Sequence, residues 1–239
     1  MTPPDGLASG HPTAIVPSNI DNQSRNAIRS TARKPGDSVL ATLRRRIMLN
    51  DLHPGSVLTE LGLATELACS QSAIREALLR LEGEGLVRRA GHQGTMVTDL
   101  DADAATEMLD LRRRIETRAA RRIARRVTAG DLDALHRLQD RMVEAARAND
   151  PWALIEHDRD FHMAVFRISH LHALEPILLR CIQHTHRFRL WAPWHQRPLL
   201  QTARRHQPIL VALRTREATT LSRAIGQHLD TIVERRNAA

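Results

Sequence analysis

Four side chains in the C-terminal half have the chemistry of a divalent-metal site: Asp158, His162, His206 and His228. Asp158 and His162 stand four apart in the run HDRDFH, so on a helix they share a face and can grip one ion. His206 and His228 fall on the last two helices that the pattern predicts. One carboxylate and three imidazoles suit Zn2+, Ni2+, Mn2+ or Co2+, and positions left open on such an ion can hold a ligand carboxylate. The chain has 13 histidines, so spacing alone also fits residues that only fill core or surface.

A second constellation lies near the N-terminus. Ser70 offers an N-cap to a helix whose apolar stripe is Ile74, Ala77, Leu78 and Leu81. That stripe leaves Gln71, Ser72, Arg75 and Arg80 outside. Arg75 has the fork geometry to hydrogen-bond a guanine edge, and Gln71 that to read an adenine. Ser70, Ser72 and the free N–H groups of the first turn suit phosphate. Arg44, Arg45 and Arg46 are candidates to steady the duplex backbone.

These residues need elements to carry them. Residues 37–50 have helical spacing at Val39, Leu40, Leu43, Ile47 and Met48, and His53-Pro54-Gly55 marks a turn. Residues 60–68 read as a second helix and meet the third at Cys69-Ser70, the helix-turn-helix pattern. Gly83 and Gly85 end the third. Residues 86–98 read as two short strands about Gly91-His92-Gln93-Gly94, a wing that puts Arg88, Arg89 and His92 near a duplex, with its tip reaching the minor groove. Without the wing, the same residues would describe a small helical domain for protein contact.

From Leu100 no strand signal survives. Helices are expected at 103–128, 132–148, 151–169, 172–191, 200–215 and 217–235, with Asp131 and Asp150 as caps. His184 and His186 point to different faces, so at most one looks into a pocket; Trp191 and Trp194 suit core or rim packing. The expected organisation is a disordered tail over 1–36, a winged helix-turn-helix over 37–99, and an all-helical part over 100–239. The short linker brings the two folded parts into contact.

Composition narrows the class. The net charge is +8 and Lys34 is the one lysine, so the excess is arginine, which favours polyanions or simply solvates helix faces. Residues 37–99 hold seven bases against eight acids, so DNA binding must rest on local placement of arginine rather than on net field. Two distant cysteines, Cys69 and Cys181, fit a reducing cytoplasm. No apolar run could cross a bilayer.

The stretch from Leu58 to Leu67, then SQSAIREAL (70–78) and LEGEGLV (81–87), resembles the GntR family of regulators, whose usual pattern is S-R-x-P-V-R-E-A-L, L-x-x-E-G-L-V and a glycine-tipped wing. The resemblance implies a winged helix-turn-helix that contacts DNA through Ser70, Gln71, Ser72, Arg75 and the wing tip at Gln93 and Gly94. The sequence departs at Gln71, where arginine is usual, and at Ala73, where proline is common, so operator preference does not carry over. The D-x-x-F-H motif at 158–162, followed by one histidine on each closing helix, is similar to the FCD effector domain of the FadR-type branch. It implies that 100–239 is an antiparallel all-helical bundle for effector binding and dimerisation, in which Asp158, His162, His206 and His228 hold a metal. Leu171 stands where asparagine is common. The run LRRRIE (111–116) resembles the first FCD helix and implies Arg112 as a contact for a carboxylate effector.

The expected function is a ligand-responsive regulator that binds a pseudo-palindromic DNA operator as a homodimer and senses a small organic acid beside the metal. Two rivals use the same residues: a metal-dependent enzyme, and a regulator responding to the metal itself. The enzyme would need a general base, and no H-E-x-x-H spacing supplies one.

Overall fold

A computed structural model of the chain describes residues 35–91, 94–99, 101–191 and 198–232. The expected tail, the wing-tip positions His92 and Gln93, Leu100 and Trp194 lie outside the described residues.

The N-terminal head begins with α1 (Pro35–Met48), β1 (Val57–Leu58), α2 (Glu60–Glu66) and α3 (Gln71–Gly83). Thr59 and Ser70 cap α2 and α3, accepting from the N–H of Gly62 and Ala73. Such caps satisfy backbone donors that a helix start leaves free. β2 (Val87–Arg89) and β3 (Thr95–Val97) pair antiparallel, Val87 opposite Val97 and Arg89 opposite Thr95. β1 adds to the other side of β3, so the sheet order is β1-β3-β2. Sequence reading missed β1: two residues are too short to show alternation. Leu43, Ile47, Ile74, Ala77, Leu78, Leu81, Leu86 and Val97 form the buried core of the head.

The C-terminal part is helical: α4 (Ala102–Arg126), α5 (Ala129–Arg147), α6 (Pro151–Arg167), a 3-10 turn at His172–Leu174, α7 (Glu175–Trp191), α8 (Leu199–Arg204), α9 (Gln207–Thr215) and α10 (Ala218–Asp230). α4 packs on α10 and α7, and α5 packs on α6 and α8. Phe161, Phe166, Leu178, Ile182, Leu210, Leu221 and Ile225 lie in their shared core.

Local chemistry sets the breaks. Thr128 and Asp131 form a capping box at the start of α5, so Asp131 acts at the third position rather than as the cap. Asp150 does cap α6, with Pro151 in its first turn. The helix expected over 200–215 is two. Pro208 has no N–H to offer the carbonyl four residues back, so the chain turns at Arg205-His206 and α9 starts afresh.

The head docks on α6 and α7. Ile155, Trp152 and Leu190 join its core, and the Trp191 indole donates to the Met48 carbonyl at 2.9 Å. The docking is also polar. Arg44 and Glu84 form a buried two-pronged pair at 2.5 and 2.8 Å, and Gln183 donates to the same carboxylate at 3.2 Å. Arg187, fully buried, donates to Thr98 Oγ1 at 3.0 Å and stacks on the Trp191 ring at 4.7 Å. Burial pulls its pKa down to about 10, with Asp99 opposing. Gly85 (φ +76°) sits against Arg180 and His184, where a Cβ would come within 2.5 Å of Arg180 Nε.

Candidate metal centre and nucleic-acid interface

Asp158 and His162 lie one turn apart on α6, both buried. His206 sits in the break before α9, and His228 in the last turn of α10. The fold brings all four together: one ligand atom from each lies within 4.8 Å of the others.

The other ring nitrogens fix the proton positions. His162 Nδ1 faces Glu116 Oε2 at 2.7 Å, His206 Nδ1 faces the Ala203 carbonyl at 3.1 Å, and His228 Nδ1 faces the Arg205 carbonyl at 3.3 Å. Those oxygens can only accept, so each Nδ1 carries the proton and each Nε2 a lone pair. Burial holds His162 and His228 neutral, lowering both pKa values, and for His228 the nearby His206 and His162 lower it further. Yet His162 Nε2 and His228 Nε2 stand 3.1 Å apart. His206 Nε2 lies 3.0 Å from Asp158 Oδ1 without hydrogen-bond alignment and has no hydrogen-bond partner. Converging lone pairs with outer hydrogen bonds that orient each ring are what a cation requires. The donor set fits a divalent ion.

A supporting layer surrounds the four. His186 Nε2 donates to Asp158 Oδ2 at 2.8 Å. Burial works to raise the Asp158 pKa, but the hydrogen bond from His186 opposes it, and the carboxyl is held well below its ordinary range. Glu116 receives His162 on one oxygen and Arg112 Nε on the other, the latter at 2.6 Å. Arg112 is fully buried, donates to Thr185 Oγ1 at 3.1 Å, and keeps Nη2 without a partner. A buried guanidinium nitrogen left free is suited to an incoming carboxylate. Sequence reading placed Arg112 here but gave no role to Glu116, Thr185 or His186. The four-residue step from Arg112 to Glu116 was the available signal. His184 instead faces Gly85, so one of the two neighbouring histidines does point inward.

In the head, Gln71, Ser72 and Arg75 lie exposed on the N-terminal half of α3, opposite its buried stripe. The Ser70 side-chain oxygen is taken up by the cap. Arg75 is 58% exposed and held by Glu60, with Nη2 to Oε2 at 2.7 Å. Gly94 adopts φ +89°, which favours glycine and lets the wing close against the Leu58 carbonyl. Of the three arginines on α1, Arg44 is excluded as a duplex contact: its partnership with Glu84 buries it. Arg46 is paired with Glu66 at 2.8 Å.

An exposed helix-turn-helix with a wing, joined to a helical bundle, is the architecture of a DNA-binding regulator with a second, C-terminal domain. Comparison with known proteins agrees. Residues 107–231 match the FCD domain family, and residues 25–97 match the bacterial regulatory proteins of the gntR family. The chain therefore belongs to the GntR family of transcription regulators, in the group with an FCD C-terminal domain. The Nta operon transcriptional regulator of Aminobacter aminovorans is 29% identical over 187 residues, covering 76% of this chain and 86% of that protein. The HTH-type transcriptional repressor RspR of Escherichia coli K12 is 27% identical over 195 residues, covering 80% and 84%. Escherichia coli McbR/YncC has the same fold, with a TM-score of 0.70 at 21% identity over 83% of this chain and 94% of that one. Family membership makes the protein a transcription regulator and sets aside the metal-dependent enzyme. Among the described residues no helix is long and apolar enough to cross a membrane.

Proposed function

We propose that the protein binds a pseudo-palindromic operator as a homodimer and that a small carboxylic acid, bound beside a divalent metal in the C-terminal domain, sets its grip on DNA. The observation that carries this reading is the three imidazoles whose protons are all committed to Nδ1, so that their lone pairs converge on Asp158. Asp158, His162, His206 and His228 hold the metal, which supplies open positions for an anionic ligand. Arg112, with one nitrogen free, pairs with the acid. In the head, Gln71 and Arg75 read bases, Ser70, Ser72 and Gly94 approach the backbone, and His92 and Gln93 belong to the wing tip. Domain limits of 37–99 and 100–239 suit the two cores.

A ligand can act on DNA only if it binds two arrangements of the protein with different affinity. α7 supports such a link. Thr185 and His186 touch the buried centre, while Gln183, His184 and Arg187 touch the head.

The test is elemental analysis of the purified protein and of His162→Ala, followed by operator gel shifts against a panel of small carboxylic acids. Retained metal that is lost in the variant, and an acid that shifts the operator only in metal-loaded protein, is the expected result. Protein that binds no divalent metal overturns the centre. Operator affinity that follows metal concentration with no acid present would assign the signal to the metal itself.

A further inference from the structure

The side of α7 that faces the head carries a row of nitrogen groups that the fold leaves without partners. Arg180, His184 and Arg187 follow one another at steps of four and three. On a helix they fall within about 60° of one another and run about 10 Å along the axis. Arg180 is exposed, His184 half-buried and Arg187 fully buried, so the row leads from solvent into the seam between head and bundle. Three of its nitrogens are buried with no hydrogen-bond partner: His184 Nε2, and Nε and Nη2 of Arg187.

The two free nitrogens of Arg187 lie on one edge of the guanidinium, the edge that takes two oxygens of one anion in parallel. The rest of the group holds that edge still. Nη1 donates to Thr98 Oγ1, whose own proton is shared between the Gly85 and Leu86 carbonyls, and the Trp191 ring supports the guanidinium face. Gly85 has no side chain, which lets Arg180 and His184 close on the head backbone: a Cβ there would stand 2.5 Å from Arg180 Nε and 3.0 Å from His184 Nε2. No acid answers the row. Neither arginine makes an ion pair among the described residues. Glu84 of the head is taken up by Arg44 and Gln183. Asp99 is exposed and acts on Arg187 only through space. A position with nothing but packing to do would be filled more favourably by an apolar side chain than by a buried, unpaired cation.

We infer that Arg180, His184 and Arg187 form a second anion site, in the seam between head and bundle, which takes a small free oxyanion of the carboxylate or phosphate type. Arg187 grips two of its oxygens on the free edge, and His184 and Arg180, one and two turns away, meet the part that projects toward solvent. The site is separate from the metal centre, to which α7 turns Thr185 and His186 instead. It stands whether or not that centre holds a metal. Bound in the seam, the anion neutralises positive charge that is pressed against the head and so tightens its docking.

The test titrates the full chain with inorganic phosphate and, separately, with succinate, by calorimetry at fixed ionic strength. Wild type should bind at least one of them, and the one it prefers names the source of the oxyanion. Arg187→Met and Arg187→Lys should each weaken that binding at least about tenfold, the lysine because a point charge cannot reproduce the two-pronged edge. Arg180→Gln lies at an exposed position, so it should keep the circular dichroism of wild type and still weaken binding about threefold. If wild type binds neither probe, the site is overturned and water is what fills the edge. Binding that is equal in wild type and all three variants places the anion elsewhere on the chain and overturns the site as well.

Discussion

Replacing Glu116 by Gln keeps the shape of a buried side chain and removes its charge, and it strikes two structures at once. Glu116 is 2% exposed and lies between Arg112 and His162. Burial pushes its carboxyl up, but His162 and Arg112 prevail and bring it from 4.5 to about 2. The folded site therefore prefers the carboxylate over the neutral acid by about 3 kcal/mol. Without that charge the Arg112 guanidinium stays buried with Thr185 as its hydrogen-bond partner. Removing one member of a buried pair costs about 3–5 kcal/mol. Glu116→Gln should thus unfold at lower urea at neutral pH, by about 3 kcal/mol in chelator-treated protein. Glutamine offers one acceptor oxygen where Arg112 and His162 use two, so the hold on the His162 ring is weakened and metal binding should fall by about 10- to 100-fold, read by competition with a metal indicator. The sign with pH is set by the lowered pKa. The stabilisation is complete above 4.5 and is lost as pH falls from there toward 2, so wild type and variant should converge in acid. A variant within about 0.5 kcal/mol of wild type, with unchanged metal affinity, would refute the reasoning.

Arg75→Ala should weaken operator binding by about 1–3 kcal/mol and relax base choice, whereas equal gel-shift affinity on matched and mismatched sites would contradict its place at the bases. Glu84→Gln leaves Arg44 buried without its charge partner and loosens Gln183, so urea unfolding should show a loss of about 3 kcal/mol or more; an unchanged midpoint counts against the polar docking. The pKa of His184 is lowered by burial, then by Arg180 and Arg187, so the unfolded chain takes a proton near 6.5 that the folded one refuses. Stability should therefore fall as pH drops through 6.5, and His184→Gln should flatten the slope; an identical slope in the variant would show that this ring is not responsible.

Much of the head was legible because its signals are local. Ser70 before an apolar stripe at Ile74, Ala77, Leu78 and Leu81 fixes a capped helix, and glycines fix the wing. β1 escaped because Val57 and Leu58 become a strand only when β3 is beside them. Asp158, His162, His206 and His228, which the fold gathers, were named from their residue types and the FCD-like motif, since spacing alone also fits core filling. Their supporting layer was not. Glu116, Thr185 and His186 look like any helix residues until α4, α6 and α7 meet. Arg44 shows the converse: three consecutive arginines read alike in one dimension, and only the approach of Glu84 separates the buried one. The break at Arg205-His206 was half visible, since Pro208 marks it but one longer helix also fits the apolar period.

The five residues from Gln183 to Arg187 serve two masters within little more than one turn of α7. Any chimera that moves this head onto another sensor bundle, or the reverse, would have to transplant that segment and its partners together: Glu84, Gly85 and Thr98 on one side, Asp158 and Arg112 on the other. The graft boundary between the modules therefore lies inside a helix of the sensor and not in the short stretch of chain that joins them.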